Sequence, residues 1–111
     1  MEEVVFDTNQ LIDASRKDKF DLQGLTTIFN VIEFPNATKF EELTVLYPTL
    51  EDFQESADIS LSLFRKGTPL PAVDIMVAAM CIQRNFMLCT RDPHLTNIRS
   101  IRPRFRLQLV K

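Results

Sequence analysis

The sequence predicts an α/β domain with a mainly parallel sheet. Short apolar runs of strand length alternate with longer stretches of helical periodicity, which is typical of parallel sheets joined by helices. The chain has 111 residues, enough for one domain with a modest core, so we expect a single domain over 1–111. With 45% hydrophobic and 25% charged residues, the composition is that of an ordinary globular protein.

The first strand and helix are predicted at the N-terminus. Val4–Phe6 is a short apolar run that ends at Asp7, as expected of a buried strand. Thr8 or Asn9 can cap the helix that follows, and this helix is expected to continue to about Arg16.

Two more strands follow. The β-branched and aromatic stretch 25–29 predicts the second strand. A helical stretch after Asn30 is interrupted by Pro35, which removes a helical hydrogen bond, so this helix should be short or kinked. Leu43–Leu46 predicts a third strand, which Pro48 ends.

Thr49 begins a long helix. Its side chain can cap the N-terminus, and Gly67 is suited to the C-terminal stop. Apolar residues continue along the stretch between them, at Phe53, Ala57, Ile59, Leu61 and Phe64.

The C-terminal third contains another helix and two strands. Pro71 suits a first helical turn, and Ala72–Arg84 is apolar on nearly every side, which predicts a buried helix. Met87–Thr90 predicts a fourth strand. Apolar and polar residues alternate over 104–109, which predicts a half-exposed edge strand.

Neither a targeting segment nor a metal-binding cysteine motif is indicated. The acidic N-terminus lacks the basic start of a signal peptide, and no apolar run approaches membrane-spanning length. Cys81 and Cys89 lie in apolar segments without CxxC spacing, so we interpret them as small buried hydrophobic residues. We therefore expect a cytoplasmic protein with no membrane partner.

The charge is unevenly distributed along the chain. Residues 1–55 carry four basic and twelve acidic side chains, whereas residues 56–111 carry nine basic and three acidic ones. This asymmetry indicates one acidic and one basic surface. A basic surface could hold phosphate groups, although two ordinary solvated faces explain the charge equally well.

Four acids stand in apolar or strand-end positions. Asp7 follows the first predicted strand and Asp92 follows the fourth, so both should point into the crevice at the carboxyl edge of the sheet. Asp74 is the one charged residue between Ala72 and Gln83, at the start of a helix. Glu33 is the one acid in the apolar stretch 28–34.

Such a cluster suggests a divalent cation. Converging carboxylates repel one another, and Mg²⁺ or Mn²⁺ bound to their oxygens removes that repulsion. Each acid also has a structural explanation: a helix cap for Asp7, an exposed helix residue for Glu33, a favourable helix-dipole position for Asp74 and a turn for Asp92.

Four motifs in this order resemble the PIN-domain pattern. They are Val5-Phe6-Asp7-Thr8-Asn9, Asn30-Val31-Ile32-Glu33, Pro71-Ala72-Val73-Asp74-Ile75-Met76-Val77-Ala78-Ala79 and Leu88-Cys89-Thr90-Arg91-Asp92. The resemblance extends from Val4 to about Phe105, and the short form is similar to VapC-type toxins of toxin–antitoxin pairs.

The resemblance implies a three-layer α/β/α sandwich and an Mg²⁺- or Mn²⁺-dependent endoribonuclease. It implies RNA as substrate, a homodimer and, for a toxin, an antitoxin protein that blocks the site. It implies that Asp7, Glu33, Asp74 and Asp92 are metal ligands, and that Thr8, Asn9 and Thr90 support them.

Weaker candidates and rival functions remain. Side chains that could contact RNA phosphates are Arg65, Lys66, Arg91 and Arg99, whereas His94 is interpreted as a surface loop residue. A receiver domain or an aspartate-nucleophile phosphatase is disfavoured because Thr8 and Asn9, not a further acid, follow Asp7. An RNA-processing nuclease outside a toxin system and a non-catalytic RNA- or protein-binding module remain alternatives.

Overall fold

A computed structural model describes residues 3–111. Within that range, five strands form one sheet in the order β3-β2-β1-β4-β5, and every neighbouring pair is parallel. The strands are β1 (Val4–Phe6), β2 (Gly24–Thr27), β3 (Leu43–Leu46), β4 (Met87–Thr90) and β5 (Arg106–Leu109). The predicted parallel sheet is confirmed.

Helices cover both faces of this sheet. They are α1 (Thr8–Arg16), α2 (Ile28–Glu33), α3 (Leu50–Lys66), α4 (Ala72–Arg84) and α5 (Thr96–Ile101), with 3-10 turns at Pro35–Lys39 and Pro93–Leu95. Val5 belongs to the core cluster with α3, α4 and α5, whereas Phe6 packs with α1 and the first 3-10 turn. Successive strand residues thus point to opposite helix layers, and the α/β/α sandwich is confirmed.

Strands β1 and β2 approach closely at Gly24. Its φ is +147°, and a Cβ atom there would lie 2.9 Å from the Val4 carbonyl oxygen. The same atom would lie 3.0 Å from the Phe6 ring, so only glycine fits without movement of the backbone.

Helix α4 is the centre of the larger core. Its residues from Ile75 to Ile82 are all buried, as the apolar sequence predicted. Cys81 and Cys89 are buried free thiols, in agreement with their interpretation as core residues. No helix among residues 3–111 combines the length and apolarity needed to cross a membrane.

Two local predictions were wrong, and one helix was not predicted. Strand β2 ends at Thr27, because the Thr27 side chain caps α2 and draws Ile28 and Phe29 into that helix. Asp7, not Thr8 or Asn9, caps α1. Helix α5 was not predicted, since its six residues carry too short a periodic pattern.

The apolar residues of α3 divide between two sides. Ile59 is fully buried, as expected of a core residue. Phe53, Leu61 and Phe64 are instead 51%, 46% and 74% exposed. The side of α3 that faces the core is completed by Leu63 and by the polar Asp52 and Ser56.

A buried ion pair joins α3 to the end of α4. Asp52 is completely buried, and Arg84 donates to its two carboxylate oxygens at 3.0 and 2.9 Å. Arg84 also donates to the Met80 carbonyl at 2.8 Å and to the Tyr47 carbonyl at 3.3 Å. Burial acts to raise the pKa of Asp52, but hydrogen bonds from Arg84 and Thr49 outweigh it and lower the pKa below its usual value.

We predict that Arg84→Met lowers the free energy of unfolding by about 3 kcal/mol, because it leaves the Asp52 carboxylate buried without its cation. Arg65→Met is the matched control, since Arg65 is exposed and has no ion pair within residues 3–111. Urea denaturation at pH 7 measures both. Equal effects of the two substitutions would show that the ion pair adds nothing.

Candidate active site

The carboxyl edge of the sheet gathers the predicted acids. Asp7 follows β1, Asp92 lies two residues beyond β4, and Glu33 ends α2. Asp74 lies in the first turn of α4. The charges of Asp7, Asp92 and Glu33 all act on Asp74, so the structure brings the four together.

Asp7 is the most firmly held of them. It is only 7% exposed, and the Thr90 hydroxyl donates to its Oδ2 at 2.7 Å. Its Oδ1 accepts from the Thr8 backbone N–H at 2.9 Å and from the Asn30 side-chain amide at 3.1 Å. Neutral donors thus fix the carboxylate without cancelling its charge.

Asn30 connects three parts of the site. It is fully buried, and its amide donates to both Asp7 and the Thr8 hydroxyl, the latter at 2.9 Å. Its carbonyl oxygen accepts from the backbone N–H and the hydroxyl of Thr27, at 3.1 and 2.7 Å. The cap of α2 therefore also orients the Asp7 carboxylate.

Glu33 reaches the cluster despite its short helix. Helix α2 has only six residues and ends at Glu33, so it is short, as Pro35 predicted, and a 3-10 turn begins at Pro35. The Thr8 hydroxyl donates to Glu33 Oε1 at 2.7 Å. Thr8, bonded on its other side to Asn30, holds the carboxylate of an exposed residue toward Asp7.

Thr90 and Asn9 join β4 to α1. The Asn9 amide donates to the Thr90 hydroxyl at 3.0 Å, and the Arg91 backbone N–H donates to Asn9 Oδ1 at 3.1 Å. The Asp92 backbone N–H also donates to Thr90, at 3.2 Å. The three predicted supporting residues Thr8, Asn9 and Thr90 thus each contact an acid or another member of this network.

Asp92 lies beyond the end of β4, at the start of the turn Pro93–Leu95. Its Oδ1 accepts from the His94 backbone N–H at 2.9 Å, which caps the turn Pro93–Leu95. His94 Nδ1 lies 3.0 Å from the same oxygen. The His94 side chain is otherwise exposed, in agreement with its interpretation as a loop residue.

Asp74 differs from the other three acids. No side chain in the described part of the chain donates a hydrogen bond to its carboxylate. Burial, followed by the charges of Asp7, Asp92 and Glu33, raises the pKa of Asp74 to about 6. A strongly shifted carboxyl group facing several acids is typical of a functional site.

The four carboxylates supply oxygen ligands, which are the ligands that a hard divalent cation prefers. Burial and, after it, the charges of Asp7, Asp92 and Glu33 raise the pKa of Asp74, and a bound cation would offset both effects. Among residues 3–111, however, no three His, Cys, Asp or Glu side chains are placed to hold a metal ion without moving. A cation would have to draw the carboxylates together.

The candidate RNA contacts fall into two groups. Arg91 donates to Asp13 at 2.8 Å, so Asp13 partly neutralises the charge of Arg91. Arg65, Lys66 and Arg99 are exposed, and none of them has an ion-pair partner within residues 3–111.

An open cavity of about 360 Å³ lies beside β3 and α2, and none of the four candidate acids lines it. Its lining is mostly apolar and includes Ile28, Val31 and Tyr47, with Glu41 as its charged residue. It therefore lacks the groups needed for acid-dependent chemistry.

Sequence reasoning missed the role of Asn30. The available signal was Thr27 followed three residues later by a side chain able to complete a capping box. That signal would have placed the start of α2 correctly, but not the bond from Asn30 to Asp7.

Solved structures share this fold. The VapBC2 complex of Rickettsia felis, bound to a DNA fragment from its promoter, contains a chain that matches with a TM-score of 0.78 and 15% identity, over 96% of this chain and 97% of that one. DNA-bound VapBC from Salmonella typhimurium matches with a TM-score of 0.72 and 20% identity, over 97% and 98%. The chain has a VapC-like PIN fold.

VapBC-1 from nontypeable Haemophilus influenzae gives a third match to the VapC-like PIN fold, with a TM-score of 0.73 and 15% identity over 96% of both chains. At such low identities, these likenesses establish the fold alone. No protein-family model matches the sequence, and no curated protein matches it either.

We predict that Asp74→Asn stabilises the metal-free protein at pH 8 by about 1–2 kcal/mol, allowing for partial exposure. The folded-state pKa of Asp74 is raised, so its charge opposes folding above about pH 6. Protonation of Asp74 removes this unfavourable charge as pH falls. The difference in free energy of unfolding between Asp74→Asn and wild type should therefore vanish below pH 4.

Urea denaturation in EDTA at pH 4 and pH 8 measures this effect. Asp21→Asn is the control, because Asp21 is exposed and distant in sequence from the cluster. A stabilisation by Asp74→Asn that is equal at both pH values would contradict the raised pKa of Asp74.

Asn30→Ala should lower the free energy of unfolding by about 2 kcal/mol, since it leaves buried partners at Asp7 and Thr27 unsatisfied. The exposed Asn36 provides the control Asn36→Ala, for which we expect a change below about 0.5 kcal/mol. Thermal unfolding followed by circular dichroism compares them. Similar melting temperatures would mean that Asn30 does not hold the site together.

Proposed function

We propose that this chain is a Mg²⁺- or Mn²⁺-dependent endoribonuclease and the toxin of a toxin–antitoxin pair. The observation that carries the proposal is the placement of Asp7, Glu33, Asp74 and Asp92 at the carboxyl edge of a VapC-like PIN fold, where burial and the other three acids raise the pKa of Asp74. In an open parallel sheet, this edge is where ligands bind.

Asp7, Glu33, Asp74 and Asp92 would hold the cation, directly or through water. When bound, a divalent cation lowers the pKa of water and stabilises negative charge on a phosphodiester. Hydrolysis adds a hydroxyl group to phosphorus and releases the 3′ oxygen, which leaves a 5′-phosphate and a 3′-hydroxyl.

The chain's own residues prepare the acids for this role. Thr90 and Asn30 orient Asp7, and Thr8 orients Glu33, so these three are positioning residues. All three are uncharged, and therefore leave the negative charge of the cluster available to a cation. No side chain within the described residues donates a hydrogen bond to Asp74. A bound cation would therefore stabilise the Asp74 carboxylate more than the other three.

Substrate phosphates would be bound by cationic side chains around this edge. Arg99 follows Asp92 by seven residues, in α5, and is exposed, with no ion pair to any residue that the structure describes. Lys66 ends α3, shortly before the loop that leads to Asp74. Both can supply the non-specific phosphate contacts that RNA binding requires.

The toxin assignment is supported by the solved structures, each of which is described as a VapBC complex. We propose an antitoxin protein as the partner of this chain and the cytoplasm as its location. An RNA-processing nuclease outside a toxin pair would share the same acids, and finding which protein co-purifies with the native chain separates the two.

The decisive test is cleavage of a labelled RNA pool with Mn²⁺ or Mg²⁺, with and without EDTA. We expect metal-dependent cleavage by the wild type and a loss of about 100-fold or more in Asp74→Asn. Asp21→Asn, an exposed acid removed in the same way, should cleave normally.

Calorimetric titration with Mn²⁺ separates the alternatives. A folded wild type that binds no Mn²⁺ and cleaves nothing would overturn the nuclease proposal. RNA binding without cleavage would instead establish the non-catalytic binding module.

A further inference from the structure

A small pocket lies along α1, outside the cluster of acids. It has a volume of about 180 Å³, and none of the four candidate metal ligands lines it. Four polar side chains line it, and the rest of its lining is apolar. These four are Gln10, Asp13, Lys17 and Lys19. We call this cavity the α1 pocket.

The apolar part of the α1 pocket belongs to the smaller core cluster. Phe6, Ala14 and Leu22 line the pocket, and all three are partly buried against that cluster. A cavity of this volume has room for about six water molecules, at about 30 Å³ each. It therefore suits one flat ring system against apolar side chains, with the polar groups at its rim to select the ring.

The two lysines stand at the C-terminal end of α1, on a fixed turn. Asp18 between them has a φ of +58°, and the Lys19 backbone N–H donates to the Ala14 carbonyl at 2.9 Å. Both lysine side chains are exposed, and neither has an ion-pair partner among residues 3–111. Asp18 and Asp21 are exposed nearby, but they do not line the pocket. The lysines are thus available to a phosphate group beside the pocket.

Gln10 and Asp13 offer hydrogen-bond acceptors to the pocket. The Gln10 side-chain N–H donates to Asn9 Oδ1 at 3.0 Å, which leaves its own Oε1 as the free polar atom. Arg91 donates to Asp13 Oδ2 at 2.8 Å, which leaves Oδ1. Within residues 3–111 neither Oε1 nor Oδ1 accepts a hydrogen bond. Because the two residues are three apart in the helix, their side chains are neighbours on one side of it.

Two neighbouring acceptors complement guanine better than the other RNA bases. Guanine presents two adjacent donors, its N1–H and its 2-amino group. Uracil presents one N–H between two carbonyl acceptors, whereas adenine and cytosine each present an amino group beside a ring nitrogen that accepts. Each of these three bases would leave an acceptor of the base against an acceptor of the pocket, which is unfavourable.

Helix α1 connects the α1 pocket to the acid cluster. Asp7 caps the helix, and Asp13 follows it by six residues, about 9 Å along the helix axis. Asn9 lies between them, and its Oδ1 accepts from both the Gln10 side chain and the Arg91 backbone N–H. One short RNA strand is therefore long enough to occupy the pocket and reach the acids.

We propose that the α1 pocket binds a guanine nucleotide of the RNA substrate and gives the protein a preference for RNA that contains guanine. Asp13 and Gln10 accept from the N1–H and the 2-amino group, and Lys17 and Lys19 contact a neighbouring phosphate. Arg91 holds Asp13 and is a positioning residue. This inference rests on the proposed function only in taking RNA as the ligand.

Fluorescence anisotropy of labelled hexanucleotides, in EDTA so that no cleavage occurs, tests the base preference. Oligouridylate with one central guanine should bind the wild type about 10-fold more tightly than oligouridylate alone, because one well-placed pair of hydrogen bonds discriminates between bases by that order. A central adenine should give a gain below about 3-fold, since it lacks the second donor.

Asp13→Asn should reduce the guanine preference to below about 2-fold, because an amide donor then faces the donors of the base. Asp18→Asn is the matched control. It removes the same charge at an exposed position that does not line the pocket, and asparagine tolerates the positive φ there. Loss of an acid raises the affinity for every RNA, so the ratio of affinities is the readout. Circular dichroism checks that both variants are folded.

The lysines are tested by the double variant Lys17→Gln and Lys19→Gln. It should weaken the binding of both RNAs by about 10-fold and make binding less dependent on salt, while the guanine preference stays unchanged. The same double variant should therefore separate phosphate contact from base recognition.

Equal affinities for RNA with and without guanine, or a guanine preference that survives Asp13→Asn, would overturn the proposal. These measurements need neither metal nor cleavage, so their failure leaves the nuclease proposal intact. A guanine preference without metal-dependent cleavage would instead remove the nuclease proposal and keep the α1 pocket as the recognition site of an RNA-binding module.

Discussion

Repulsion among four carboxylates is the constraint to which the rest of the site responds. Asp7, Glu33 and Asp92 are held by hydroxyl, amide and backbone donors, and within residues 3–111 the salt bridges to Lys or Arg involve other acids. Neutral donors orient a carboxylate without cancelling its charge, and burial together with the charges of these three acids raises the pKa of Asp74. The network thus keeps negative charge at one edge of the sheet, where a cation can use it.

The pKa values of Asp52 and Asp74 are shifted in opposite directions, because only Asp52 has a cationic partner. Asp52 is fully buried, but Arg84 and Thr49 lower its pKa and make it a structural joint between α3 and α4. Asp74 is partly buried without a cation, and its pKa rises. Asp52 joins α3 to the C-terminal end of α4 through Arg84, whereas Asp74 lies in the first turn of α4. Helix α4 therefore has a completed ion pair at its C-terminal end and a carboxylate with a raised pKa at its N-terminal end.

Local pattern and tertiary packing agreed for much of the chain. The predicted strands Val4–Phe6, Leu43–Leu46 and Met87–Thr90, and the helix Ala72–Arg84, were confirmed because their apolar runs fit the element that buries them. They disagreed at Ile28, whose β-branched side chain favours a strand although the Thr27 cap starts a helix there. Helix α5 is too short to show a period and is held by the burial of Ile98.

The sequence by itself determined which acids share an edge of the sheet. In a parallel sheet, residues that follow successive strands emerge on the same side, so Asp7 and Asp92 had to meet once β1 and β4 were recognised. Tertiary structure alone decided that Asn30 donates to Asp7, that Arg91 is drawn to Asp13, and that the apolar stripe of α3 faces outward. The physical reason is that periodicity defines the faces of a helix, whereas contacts between distant segments decide which face is covered and which donor reaches which acceptor.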